Sequence, residues 1–230
     1  MQRIIFQSSF PQHSGEIKVT SMNKIIFLLL VLFFTMLLWS AVDHFDYFTW
    51  FLEAIPAILG VAILALTFTR FRFTNIAYIF IFIHCCILLV GAKYTYAEVP
   101  LFNYIQEYFG HARNNYDKIG HFAQGFIPAI ITRELLVRLN ILNKKSWLPF
   151  IVLSICLSIS AVYELFEWSI AMLSGQTAED FLGTQGYEWD AQSDMLFAMT
   201  GVICMLLLSK IHDKSIKNMK EKNQLATRNK

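Results

Sequence analysis

Polar and apolar residues alternate along this chain in long blocks. Six runs are almost continuously apolar: about Ile25–Val42, Trp50–Thr69, Thr74–Ala92, Gly120–Leu139, Trp147–Leu173 and Gln192–Ser209. Each approaches the roughly 20 residues that a helix needs to cross a hydrocarbon core of about 30 Å. Backbone groups in lipid must satisfy one another, so each run is expected to be a helix. The pattern predicts an all-α, polytopic membrane protein with a six-transmembrane-helix bundle over residues 22–209. The first run is longer than the apolar part of a secretory signal, and Asp43 and His44 follow it in place of a small-residue cleavage site. Residues 1–21 have no apolar period, and Met22-Asn23-Lys24 resembles a start. They are expected to be a disordered tail or a start-site artefact. Between the third and fourth runs, Leu101, Ile105 and Tyr108 follow Pro100 at helical spacing, which suits a short helix lying in the membrane interface.

The charges orient this bundle. Of 19 Lys and Arg, 16 fall in segments 1–24, 70–73, 133–146 and 210–230, and only Lys93, Arg113 and Lys118 fall in the alternate loops. With six spans all four basic segments share one side, so both termini are expected in the cytoplasm. The basic segment 210–230 is expected to be a solvated cytoplasmic tail near anionic lipid. The opposite side collects acids, among them Asp43, Asp46, Glu98, Glu107, Asp117, Glu179, Asp180, Glu188 and Asp190.

Composition agrees. Apolar residues make up 56% of the 230 and charged residues 16%, against roughly 45–50% and 25% in a soluble domain. Cys85, Cys86, Cys156 and Cys204 lie in apolar runs without a C-x-x-C spacing, so they read as small buried hydrophobes. The net charge of +2 carries no argument for nucleic acid, and none is expected as a partner. The expected partner is the lipid bilayer.

Charged side chains at membrane depth are costly, and each needs a reason. Asp117, His121 and Gln124 are spaced i, i+4, i+7 on one face of the fourth span, where Asp117 can orient the imidazole. Glu164 and Glu167, i and i+3 on the fifth span, lie about 25 Å along the helix from Trp147 at 1.5 Å per residue. Asp190 and Asp194 share a face of the sixth, and Gly201 further along permits close packing. All three pairs fall toward the outer leaflet. If the faces meet, His121, Asp117, Glu164, Glu167, Asp190 and Asp194 form a candidate catalytic set for acid–base chemistry. Glu164, Glu167, Asp190, Asp194 and His121 form a candidate site for a divalent metal. Other polar residues rank lower. Glu53, with Pro56, reads as a helix-start acid, Arg133 and Glu134 as snorkelling groups at the cytoplasmic end, and His84 as a partner for a neighbouring helix.

Three segments carry a family resemblance. They are Tyr116-Asp117-Lys118-Ile119-Gly120-His121-Phe122, Tyr163-Glu164-Leu165-Phe166-Glu167-Trp168, and residues 186–194, Gly-Tyr-Glu-Trp-Asp-Ala-Gln-Ser-Asp. Together they resemble the YjdF-like bacterial inner-membrane proteins, over most of the chain from about Met22 to Ser209. The first and last segments are also locally similar to VanZ-like proteins, from which Glu164-x-x-Glu167 departs by replacing an acid-then-amide pair. The resemblance implies an inner-membrane location and brings no established reaction. The residues suggest an outward-facing acidic and histidine site acting on an envelope or lipid-linked molecule. A structural or assembly role, or a cation or proton pathway, are the alternatives. A pathway usually places broken helices near the midplane, whereas these polar groups gather at one side.

Overall fold

The computed structural model describes residues 24–174 and 185–228, and among these it contains helices and no strand. Segment 1–21 and the loop acids Glu179 and Asp180 lie outside the described residues. In chain order the helices are α1 (Lys24–Ala41), α2 (Tyr47–Thr67), α3 (Asn75–Tyr94), α4 (Pro100–Phe109), α5 (Tyr116–Arg138), α6 (Leu148–Ser174), α7 (Asp190–Leu207) and α8 (Ser209–Arg228). Local chemistry sets several ends. The Asp46 carboxylate accepts from the Thr49 amide at 2.8 Å and caps α2. Thr74 caps α3 by accepting from the Ala77 amide. Pro100 opens α4, and Gly110, at φ 67°, closes it in the left-handed conformation that glycine adopts without strain.

Five helices, α1, α2, α3, α6 and α7, are long and apolar enough to cross a membrane. α5 has the length, at 23 residues, but carries Asp117, Lys118, His121, Arg133, Glu134 and Arg138. Its position explains this composition. α5 packs against α3, α6 and most closely α7, and all six of those residues except Arg138 are buried. Their charges face protein groups, which is the arrangement charged side chains need at membrane depth. The outer helices are apolar on their exposed sides as well, with Phe27, Leu38, Leu59, Leu66, Val162 and Leu165 uncovered. Such a surface suits lipid.

Gly125 of α5 and Gly201 of α7 allow the tight crossing. A Cβ on Gly125 would collide with the Ala198 carbonyl, and one on Gly201 with the Phe122 carbonyl. These are backbone atoms, so no side chain can swing aside. The packing role expected for Gly201 is thus observed, and Gly125 shares it.

Two expectations change at the basic end. Arg133 and Glu134 do not snorkel. Glu134 is fully buried. It accepts from the Thr74 amide at 2.9 Å and hydroxyl at 2.8 Å, from Arg138 at 2.6 Å, and meets His212 Nε2 at 3.1 Å. Arg133 pairs with Asp213 at 2.7 Å. His212 and Asp213 belong to α8, so the segment read as a solvated tail is a helix docked on the bundle. Its His212 and Ile216 are buried. The reason lies in distance along the chain: Glu134 finds partners 60 and 78 residues away, which no local pattern reveals.

Candidate functional site

The start of α5 is held in place by Asn114, which is fully buried. Its Nδ2 donates to the Val99 carbonyl at 3.1 Å and to Asn103 Oδ1 at 2.6 Å, while its Oδ1 accepts from the Tyr116 amide at 3.0 Å. Gln185 closes the other side, accepting from the Asn114 amide and donating to its carbonyl, both at 2.9 Å. The Tyr116 hydroxyl donates to the Ile87 carbonyl of α3 at 2.8 Å. With α5 so fixed, its first two turns aim Asp117, Lys118 and His121 into the bundle.

The structure brings Asp117, His121, Asp190 and Asp194 into one cluster with two cations. Lys118 Nζ lies 2.8 Å from Asp190 Oδ1, 2.5 Å from Asp194 Oδ1 and 3.7 Å from Asp117 Oδ2. Arg113 reaches Asp190 at 2.6 Å and Asp117 at 3.8 Å. Tyr187 covers both, its ring 5.6 Å from the Arg113 guanidinium and 5.9 Å from the Lys118 ammonium. The acidic and histidine site expected from the sequence thus also holds two cations: three aspartates here share Arg113 and Lys118. Arg113 and Lys118 read as ordinary loop charges because charge counting along a chain does not show pairing across 72 or more residues. Asp190 does begin α7, yet it is more than a helix-start acid.

His121 sits between this cluster and α6. Its Nε2 is 3.2 Å from Asp117 Oδ1 and 3.9 Å from Asp194 Oδ2. Its Nδ1 is 2.9 Å from Gln124 Oε1 and 3.6 Å from Glu164 Oε1. An ionised Asp117 can only accept, so Nε2 carries a proton. The i, i+4 orientation of His121 by Asp117, and the proximity of Gln124, follow the spacing read from the sequence. Of the pair on α6, Glu164 approaches His121 and Glu167 turns into a cavity of about 190 Å³.

That cavity enlarges the site. Glu53, His84, Tyr96, Asp117, His121, Gln124, Tyr163 and Glu167 all contribute to its wall. Glu53 is not a helix-start acid: Asp46 caps α2, and Glu53 lies almost two turns further in, 2% exposed. Apart from a weak approach by the Tyr96 backbone amide, its carboxylate oxygens are unpartnered. His84 faces the same space. Tyr96 lies in the connection between α3 and α4, its ring so close to Gly91 and Gly120 that a Cβ on either would strike it. Burial holds the Tyr96 phenol well above the ordinary tyrosine range, so its hydroxyl is a hydrogen-bond donor. Glu53 and His84 carried one signal in the sequence, a polar residue inside an apolar run, but nothing linked them to His121.

For a metal, the compatible group among the described residues is Asp117, His121 and Asp194, each with a ligand atom within 4.8 Å of the others. Of the ligands expected from the sequence it contains His121 and Asp194, and it adds Asp117. The four cysteines are free.

Comparison with known proteins extends these observations. The chain is 43% identical over 182 residues to inner membrane protein YjdF of Escherichia coli (strain K12), an overlap covering 79% of this chain and 87% of that protein. No solved structure matches. The match supports the YjdF-like resemblance and says nothing of the VanZ-like one. Residues 25–215, which include all the clustered side chains above, match a family described as predicted membrane protein (DUF2238), and the chain belongs to that family.

Proposed function

We propose that this is a six-span inner-membrane protein with both termini in the cytoplasm, whose outward-facing cavity is an acid–base site for a small polar group on an envelope or lipid-linked molecule. The inner-membrane location rests on the relative's description. The sixth span is α5, charged because it is enclosed. The orientation rests on the basic segments gathering at one end. Fusions of a periplasm-active reporter after His44 or Ala112, and of a cytoplasm-active reporter after Leu142, test it. Activity of the periplasmic reporter after Leu142 would overturn it.

One observation carries the functional reading. His121, oriented by Asp117, shares a small cavity with Glu53, a buried carboxylate that lacks a well-formed hydrogen bond. Buried polar groups are normally paired, and an unpaired acid facing an oriented imidazole suits proton transfer to and from a bound group. A volume of about 190 Å³ falls below the roughly 300–1,000 Å³ of drug-sized sites. It admits a headgroup fragment, while the rest of a lipid-linked molecule can lie beside α2 and α6, which flank the cavity without extensive packing on each other. Lipid and envelope profiling of a null strain complemented with wild type, His121→Asn or Glu53→Gln tests the proposal. The null and His121→Asn strains should accumulate the same species. A wild-type profile with His121→Asn, expressed at wild-type level, would refute it.

Divalent-cation binding is the second reading, from Asp117, His121 and Asp194. The Lys118 ammonium, 2.5 Å from Asp194 and 3.7 Å from Asp117, already supplies positive charge there, which favours acid–base use. Stoichiometric metal in the purified protein, lost in His121→Asn, would reverse that preference.

A further inference from the structure

A second cavity, of about 360 Å³, opens at the other end of the bundle, between the α2–α3 connection, the end of α5 and helix α8. Arg72, Thr74, Asn75, Arg138, Ser215, Asn218 and Lys222 line most of it, over Phe73 and Met219. Its cations are held in different ways. Arg138 NH1 donates to Glu134 and to the Arg72 carbonyl, both at 2.6 Å, and its guanidinium stacks on Phe71 at 4.1 Å. It is held by these contacts and partly compensated by Glu134. Arg72 lies over the Phe68 ring at 5.4 Å. Among the described residues no carboxylate is within ion-pair distance of Arg72 or Lys222. Glu134, the nearby acid, is fully buried behind the cavity, where His212, Thr74 and Arg138 occupy it. The cavity thus presents two cations without acidic partners, a third partly compensated, and hydroxyl and amide groups from two elements. On the six-span reading proposed above, its place at the ends of α3 and α5 puts it at headgroup depth.

We propose that this cavity binds a phosphate group, presented by an anionic lipid of the adjacent leaflet. Phosphate is the matching chemistry because guanidinium forks and an ammonium complement its oxygens, and anionic headgroups are concentrated beside basic segments at the cytoplasmic surface. α8 supplies Ser215, Asn218 and Lys222, so the lipid would also clamp this helix to the bundle. The proposal is independent of the outer-leaflet site.

Native mass spectrometry of the detergent-purified full chain with phosphatidylglycerol tests it, with phosphatidylcholine of the same acyl chains as control. Wild type should retain one phosphatidylglycerol in preference to phosphatidylcholine. Arg72→Gln/Lys222→Gln should reduce retention at least tenfold, and Lys222→Gln alone, at an exposed position that does not threaten folding, should reduce it by a smaller factor. Lys144→Gln/Lys145→Gln removes two charges from the same face outside the cavity and should retain the lipid. In a parallel arm, inorganic phosphate that raises the melting temperature of wild type but not of Arg72→Gln/Lys222→Gln, without phosphatidylglycerol retention, would assign the site to free phosphate. Equal loss in both double variants, or no preference for either phosphate source, would overturn the proposal.

Discussion

Lys118 is the residue on which the aspartate cluster depends, and Lys118→Met is the most informative single change. Methionine keeps most of the side-chain volume and removes the ammonium. Asp190 would still hold Arg113 at 2.6 Å. Asp194, 2% exposed, would lose its 2.5 Å partner and keep only His121 at 3.9 Å. Removing one member of a buried pair typically costs about 3–5 kcal/mol, because the remaining charge is uncompensated. The upper end would require Asp194 to have no other relief. With His121 nearby, about 3 kcal/mol is expected. Unfolding in mixed detergent micelles, followed by helical circular dichroism, gives the difference. Lys118→Met/Asp194→Asn then completes a double-mutant cycle. Neutralising Asp194 should recover more than half of the loss. A Lys118→Met cost under about 1 kcal/mol, or a double variant no better than the single, would refute a buried, charge-balanced cluster.

Other outcomes follow from the same geometry. Gly201→Ala or Gly125→Ala should each cost about 1–3 kcal/mol by overpacking, read as a lower melting temperature, since the obstructing atoms are backbone carbonyls. Glu134→Ala should loosen α8, seen as faster trypsin cleavage at Lys214 and Lys217 while the bundle stays intact, because Glu134 joins α3, α5 and α8. The Thr49 amide holds the Asp46 carboxyl below its ordinary 3.8. A depressed carboxyl pKa adds stability above the unfolded value that is lost as pH falls through the folded one, so the contribution of this cap should fade below about pH 4. Asp46→Asn should keep the cap and remove that pH dependence in thermal unfolding between pH 6 and pH 3.

The extent to which the site was legible differs from residue to residue. Asp117 and His121 share a helix face by their spacing, and they meet. Asp190 and Asp194 likewise share a face, and they converge on the same lysine. Glu164 and Glu167 are neighbours on one helix, and both come to His121, Glu164 at 3.6 Å from Nδ1 and Glu167 across the cavity whose wall it shares with His121. Glu53 and His84 stood out as polar intruders without an assignable role. Arg113 and Lys118 looked like plain loop charges, and Glu134 looked like a snorkelling end group. The difference is one of range. Spacing on one helix is local geometry, while compensation of a charge depends on which helices pack together.

By itself the sequence determined that the long apolar runs must become helices, since lipid offers no partner to an open backbone. It also determined which faces of single helices collect polar groups. Only the tertiary structure decided that α5, the most charged of the six runs, packs against α3, α6 and α7 together. There the glycine-lined crossing with α7 brings Lys118 against Asp190 and Asp194 and turns a run of costly charges into a compensated cluster. The free energy of a buried charge is set by its neighbours within a few ångströms, and those neighbours are far away along the chain.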